Sequence, residues 1–338
     1  MKSANLIEFD EKNKVFHLHN QDISYVFSVE TGGFLSHLYF GKRINNYHGE
    51  LKNPKRDRGF SDNIPNATDR TYSLDFLLQE YSSKGDGDFR SSASIIRQAD
   101  GTRSAFFTFK SYSITNGKPK LAGLPAAYVE NDNEAQTLSV ILEDQLSHVE
   151  LNLRYTIFAD YDVIARSVEL TNNSNDSIHI EKFASMQLDL PQGSKLVISL
   201  PGSHANERHM QREDINFGTK CFESRRGTTG HQMNNFIAVV DPDTNENQGD
   251  ALGISLVYSG NHKEEVEKDP YGAFRIIAGI NDDQFDWEVK PKDSFQAPEV
   301  LLTYSSKGLN DMSNTLHGML REHVARGKFR DALRPILV

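Results

Sequence analysis

Cysteine is nearly absent from this sequence. Its single copy, Cys221, cannot form a disulfide within the chain, and a reducing cytoplasm is the compartment expected for such a protein. Long hydrophobic runs are missing as well. No stretch approaches the ~20 apolar residues needed to span a bilayer, and the first residues lack the apolar core of a signal peptide. The sequons at Asn66, Asn172 and Asn175 therefore read as loop polarity, not as glycosylation sites. Basic residues are in deficit, 37 Lys and Arg against 47 Asp and Glu. The resulting net charge of −10 repels nucleic acid and anionic membrane surfaces and argues against both as partners. Metal-ligand spacing is lacking too. His204 and His209 flank Glu207 and Arg208, but a His-rich loop without paired spacing from several elements predicts no metal.

What remains is a soluble, globular composition, 37% hydrophobic and 25% charged. The length of 338 residues could hold two average domains, although all-β sandwiches run past about 200 residues as one. No internal repeat, long low-complexity segment or break between domains is visible. Strand signals dominate. Val149, Leu151, Leu153, Tyr155 and Ile157 alternate with Glu150, Asn152, Arg154 and Thr156, which places the apolar set on one face. Ile164, Val168 and Leu170 follow, then the turn formers Thr171 to Ser177, then Ile178 and Ile180. Short runs of the same kind occupy 15–18, 23–29, 34–40, 104–109, 137–142, 196–200, 236–240, 253–258, 273–277 and 299–304. Many short strands and few helical segments predict packed antiparallel sheets, a large sandwich.

One helix stands out, over about 310–326. Met312, Leu316, Met319, Leu320 and Val324 recur at three- and four-residue steps and form an apolar stripe. Asn310 is the expected N-cap, Arg321 and Arg326 suit the C-terminal end of the dipole, and Gly327 marks the stop. Arg334-Pro335-Ile336-Leu337-Val338 then reads as the opening of a buried strand, the beginning of a further domain.

Several blocks carry a family resemblance. Tyr304-Ser305-Ser306-Lys307-Gly308-Leu309-Asn310-Asp311-Met312-Ser313, His317, Arg321, Arg326-Gly327 and Arg334-Pro335-Ile336-Leu337 resemble the end of the N-terminal domain in bacterial α-galactosidases of glycoside hydrolase family 36. Arg56-Asp57-Arg58-Gly59-Phe60-Ser61, Asp69-Arg70-Thr71-Tyr72-Ser73-Leu74-Asp75, Leu78-Gln79-Glu80-Tyr81 and Asp88-Phe89-Arg90 resemble the family's early loops, and 223–234 resembles a mid-domain signature. Two positions depart from the pattern: Asn235 stands where the family usually has Pro, and Gly202-Ser203-His204 replaces a Gly-x-Trp segment. The resemblance implies a mainly β, galactose mutarotase-like β-supersandwich over 1–308. It further implies a linking helix and the start of a (β/α)8 catalytic barrel, absent from this chain, over 309–338. The parent would be a retaining α-galactosidase acting on raffinose-type oligosaccharides and melibiose, and a tetramer. The barrel would hold both catalytic carboxylates, so no catalytic residue is expected in this chain. Hydrolysis by two carboxylates needs no cofactor.

Within the chain, 53–90 is the leading candidate for function, a long loop rich in Asp, Arg, Asn and Gly with Phe60, Tyr72, Phe76, Tyr81 and Phe89 interleaved. By resemblance, Asp57 and Arg70 contact the outer end of the substrate, with Arg58, Phe60 and Asp69 as supports. The alternative is that Asp57, Arg58, Asp69 and Arg70 lock a loop or an interface. Arg225, Arg226 and His231 either form an anion or sugar site with Thr228 and Thr229 or fix a subunit interface by pairing with Glu223 and other acids. A competing class, sugar mutarotase or epimerase, would use His231 with Glu223 or His204 with Glu207 as acid and base. A third is a carbohydrate-binding module without catalysis.

Overall fold

A computed structural model describes residues 5–45, 47, 52–53, 55–56, 63–64 and 69–333. The first four strands form a meander: β1 (Ile7–Asp10), β2 (Val15–His19), β3 (Ile23–Val29) and β4 (Leu35–Lys42). A long loop leads to β5 (Ser94–Arg97) and β6 (Thr108–Asn116). The central run is β7 (Ala135–Asp144), β8 (Val149–Phe158), β9 (Val163–Asn172), β10 (Ile178–Leu190) and β11 (Leu196–Pro201). There follow β12 (Gln211–Asp214), β13 (Gly218–Glu223), β14 (Met233–Val240), β15 (Ala251–Val257) and β16 (His262–Lys268). The last are β17 (Phe274–Ile280), β18 (Trp287–Val289), β19 (Ser294–Gln296) and β20 (Glu299–Ser305). One sheet has the order β13-β16-β17-β10-β18, with β5 also on β10. The largest has the order β12-β11-β14-β15-β20-β9-β8-β7-β6, with β19 on β9. All named-strand ladders among the described residues are antiparallel. The protein is the mainly β supersandwich expected.

The alternation in β8 does what the sequence requires. Val149, Leu151, Leu153, Tyr155 and Ile157 are fully buried, while Glu150, Asn152 and Arg154 are half-buried on the other face. Each large apolar side chain so buried contributes about 1.5–3 kcal/mol relative to exposure. The main core is continuous across all three sheets, joining Phe16 and Phe27 of the meander to Leu153 and Tyr155 of the large sheet and to Met186 and Ile276 of the third. Some boundaries differ from expectation. Residues 104–107 are not strand: Ala105 is tied to the preceding loop, its N–H donating to Lys84 O (3.1 Å) and its carbonyl accepting from Ser83 Oγ (2.6 Å). β16, His-Lys-Glu-Glu-Val-Glu-Lys, lacks an apolar face and escaped the periodicity. It is a central strand because its buried acids are paired, Glu265 with Lys182 (2.7 Å) and Glu264 with His262 (2.9 Å). Asn172 is not loop polarity but a buried residue ending β9, its Nδ2 donating to Asp176 O and Val289 O.

The helix α1 covers Leu309–Met319, and a single π-type turn, Leu320–Val324, ends it. Asn310 is not its cap. The first N–H groups are satisfied by a neighbouring turn, Leu309 N–H donating to Asn245 O and Asn310 N–H to Glu246 O (both 2.9 Å). Gly308 makes that docking possible, with φ at 87° and a position where a Cβ would lie 2.5 Å from Asn245 O. Met312, Leu316 and Met319 are buried against β9, β15 and β20, and Leu320 and Val324 are half-buried. The stripe is thus covered by the sandwich's own large sheet. The strand expected at 335–338 lies outside the described residues.

Candidate functional site

The loop between β4 and β5 is pinned at intervals. Asn53 Nδ2 donates to Ser36 Oγ (3.1 Å) and His37 O (2.7 Å), and Lys52 pairs with Glu30 (3.0 Å). Lys55 lies over the Tyr72 ring (4.6 Å) and Arg56 over Phe76 (5.4 Å). Ile64, Tyr72, Leu74 and Leu77 form a small satellite core with Phe34. Among the expected contact residues, Asp57, Arg58 and Phe60 lie outside the described residues. Asp69 is exposed. Its Oδ1 accepts from Thr71 N (2.9 Å) and Thr71 Oγ1 (2.6 Å), and these bonds hold its carboxyl below the usual range. Arg70 is exposed in the adjoining turn.

Beneath the loop lies a buried ionic network that sequence reasoning did not find. Arg275 of β17, fully buried, donates through Nε and Nη2 to both oxygens of Asp189 on β10 (2.8 and 2.7 Å), through Nη2 to Asp88 (2.6 Å), and through Nη1 to Ser91 O (3.0 Å). Arg90 brackets Asp88 from the other side (both contacts 2.9 Å) and donates to Leu74 O and Leu77 O (2.8 and 2.7 Å). Burial alone would raise Asp88, but Arg275 and Arg90 outweigh it and hold the carboxyl at about 2. Its neighbour Asp86 has no such cation at bonding distance among the described residues, and burial, reinforced by Asp88, pushes it up to about 6.

A second network centres on Glu80, wholly buried. Tyr25 and Tyr155 donate their hydroxyls to Oε2 (both 2.8 Å), His37 Nδ1 lies 2.7 Å from Oε1, and Arg166 Nη1 lies 3.3 Å from Oε2. Burial raises this carboxyl, yet Arg166 first and His37 next bring it below its ordinary value. The motif acids and bases Glu80, Asp88 and Arg90 are therefore the loop's foundation, held away from solvent; Phe89, 72% exposed, is the member of that motif that faces outward.

The remaining candidates separate. Arg225 is paired within the chain, to Glu223 and to Asp283 (3.3 Å). Thr228 Oγ1 donates to Ser259 O (3.2 Å) and Thr229 Oγ1 to Gly260 O (3.1 Å), so these hydroxyls tie their loop to the β15–β16 turn. Arg226 is exposed and makes no ion pair among the described residues. His231 is exposed beside Gln232 (3.3 Å). Glu223 spends its oxygens on Arg225 and on Asn281 Nδ2 (2.9 Å), while Glu207 accepts from Ala205 N (2.9 Å); among the described residues Glu223 makes no hydrogen bond with His231, nor Glu207 with His204. Asn235 offsets the missing Pro by donating from Nδ2 to Leu256 O (2.6 Å) and Tyr258 O (2.8 Å). Among the described residues, Glu8, His17 and His19 form the one cluster of metal-donor types, with ligand atoms within 4.8 Å of one another. It suits no metal: the Arg43 guanidinium stands 3.4 Å from His17 Nε2, a cation where the metal's charge would go.

The antiparallel sheets, with the long β4–β5 loop clamped onto them by buried ion pairs, define a mainly β supersandwich domain. The chain belongs to glycosyl hydrolase family 36: the model of that family's N-terminal domain matches residues 33–290, and the Melibiase model matches residues 294–338. It is 53% identical over 336 residues to alpha-galactosidase Mel36A of Lactobacillus acidophilus, covering 99% of this chain and 46% of that protein. It is 41% identical over 332 residues to alpha-galactosidase AgaA of Geobacillus stearothermophilus, covering 98% and 45%. The crystal structure of the family 36 alpha-galactosidase AgaB of the same organism superposes with a TM-score of 0.94 at 41% identity, covering 98% of this chain and 45% of that one. An AgaA variant solved with raffinose superposes at 0.93, with 42% identity over 96% of this chain and 45% of that one. The chain thus spans about half the length of the curated relatives it matches.

Proposed function

We propose that this chain is the non-catalytic N-terminal part of a retaining, cytoplasmic, tetrameric α-galactosidase that hydrolyses terminal α-galactosyl residues of raffinose-type oligosaccharides and melibiose. The observation that carries the reading is coverage: nearly all of the chain aligns with under half of each α-galactosidase. Raffinose bound to an AgaA variant supports the substrate class, and a single cysteine supports the compartment. Residues 309–338 join the sandwich to the catalytic barrel. Asp57 and Arg70 meet the outer end of the oligosaccharide, the carboxylate accepting from sugar hydroxyls and the guanidinium donating to them, with Arg58, Phe60 and Asp69 in support. The buried foundation under 74–91 supports this role, since a contact loop must be held rigidly to position a substrate. Arg226 and His231, exposed beside the internally paired Arg225, belong to a subunit interface.

The test joins the chain to its parent's downstream segment and follows hydrolysis of raffinose and of a chromogenic α-galactoside. The complete enzyme should turn over both, and the folded chain alone neither; robust turnover by the chain alone would sink the reading. In the complete enzyme, Asp57→Ala and Arg70→Ala should weaken substrate handling with the tetramer intact. Loss of assembly as their sole effect would assign these residues to loop or interface locking.

A further inference from the structure

A cleft of about 760 Å³ opens where the β18–β19 edge leaves the sandwich uncovered. Trp287, the only tryptophan, shares the inward face of β18 with Val289, which is buried; yet Trp287 is 52% exposed. An aromatic ring at a core-facing position has been left at the mouth of the core. Its ring centroid lies 5.5 Å from that of Phe295 on β19, and Phe285 lies 6.0 Å from Phe295, so three rings line one wall.

The polar groups of the cleft are few and placed by local structure. Glu169 is oriented from β9 by Arg154, which also donates to Gln296 Oε1 (2.7 Å). Asn261 Oδ1 accepts from Gly227 N (2.6 Å), and its Nδ2 makes no hydrogen bond among the described residues. Gln284 is presented at the tip of a turn made by Asn281, whose Oδ1 accepts from Asp283 N (2.9 Å), and it adopts φ of 57°, a left-handed conformation unusual for glutamine.

We propose that this cleft binds a pyranose unit of a soluble oligosaccharide, with the rings of Trp287 and Phe295 against its C–H face and Glu169, Asn261 and Gln284 on its hydroxyls. A pyranose has one apolar face and a rim of hydroxyls that both donate and accept. Aromatic faces cover the first, and a carboxylate with two amides satisfies the second. A purely apolar partner would leave Asn261 Nδ2 and the Gln284 amide unmatched, while Glu169 keeps a partner in Arg154. The cleft lies apart from the 53–90 loop and needs no catalytic barrel, so it stands or falls separately from the α-galactosidase reading.

Trp287 supplies the assay. Its emission in the purified chain, titrated with raffinose, should change saturably with a midpoint on the order of 1 mM, while glycerol at matched concentration leaves it unchanged. Asn261→Ala and Gln284→Ala should each raise the midpoint about three- to ten-fold, the factor for one lost neutral hydrogen bond, with the circular dichroism of the parent. An emission indifferent to raffinose, or one that responds equally to glycerol, overturns the proposal. So does an emission that shifts with protein concentration in the absence of sugar, because a second copy would then be the occupant. Hydrolysis by the complete enzyme is a separate readout, so failure of either proposal leaves the other legible.

Discussion

Replacing Arg275 by Met removes the cation that two buried carboxylates share. Arg275 is 1% exposed and bonds both oxygens of Asp189 and one of Asp88, while Arg90 offers Asp189 only a 3.7 Å contact. Methionine fills much of the volume, so the loss is mainly electrostatic. Breaking a buried pair by removing one partner costs about 3–5 kcal/mol; about 4 is expected here at neutral pH, close to a thousandfold in the folding equilibrium. The sign of the pH dependence follows. In the parent, Asp88 is held at about 2, so its stabilising contribution is present above the ordinary carboxylate value and is lost as pH falls toward 2. Without Arg275, Arg90 alone opposes burial, so the carboxyl rises from its value in the parent and protonation relieves the variant at a higher pH than the parent. Equilibrium unfolding in urea at pH 7 and pH 4 should therefore show a smaller deficit at the lower pH. A variant within about 1 kcal/mol of the parent at pH 7, or a deficit unchanged between the two pH values, would refute the reasoning.

Asp86 gives the opposite slope. Its folded value of about 6 lies above the ordinary 3.8, so its contribution is fully present below 3.8 and is lost as pH rises through 6, about 3 kcal/mol in all. The urea midpoint of Asp86→Asn should vary less between pH 4 and 6 than that of the parent; parallel profiles would remove Asp86 as the cause. Met319 is wholly buried with Phe158, Val163 and Leu301, whereas Leu333 is fully exposed. Met319→Ala should cost about 2–5 kcal/mol and Leu333→Ala less than about 0.5, and similar losses for both would mean that the helix does not dock as described.

The strands were legible where the apolar period was clean, as in β8, and least so where function or specificity interrupted it. Arg166 shares the inward parity of Ile164, Val168 and Leu170 on β9, and that misplaced charge was the available signal for the Glu80 network. β16 hid because Glu264 and Glu265 break any apolar face; only their partners make burial tolerable. The helix was readable from its stripe, its start was not, because the capping groups come from 245–246 in the adjacent turn. Glu80, Asp88 and Arg90 were recognisable as motif residues, but their place beneath the loop, instead of at its surface, was not.

The chain's own order of residues determined the antiparallel, mainly β class, the single amphipathic helix and the family. These rest on side-chain period and local motif, which each segment carries in itself. Only the tertiary structure decided which charges meet. Asp88 and Arg275 are 187 residues apart in sequence and 2.6 Å apart in space. Coulomb attraction depends on separation and burial, and both are set by sheet register and packing after the strands have found one another. The same packing left Trp287 at the open edge of the core, on a face that its period alone assigns to the interior.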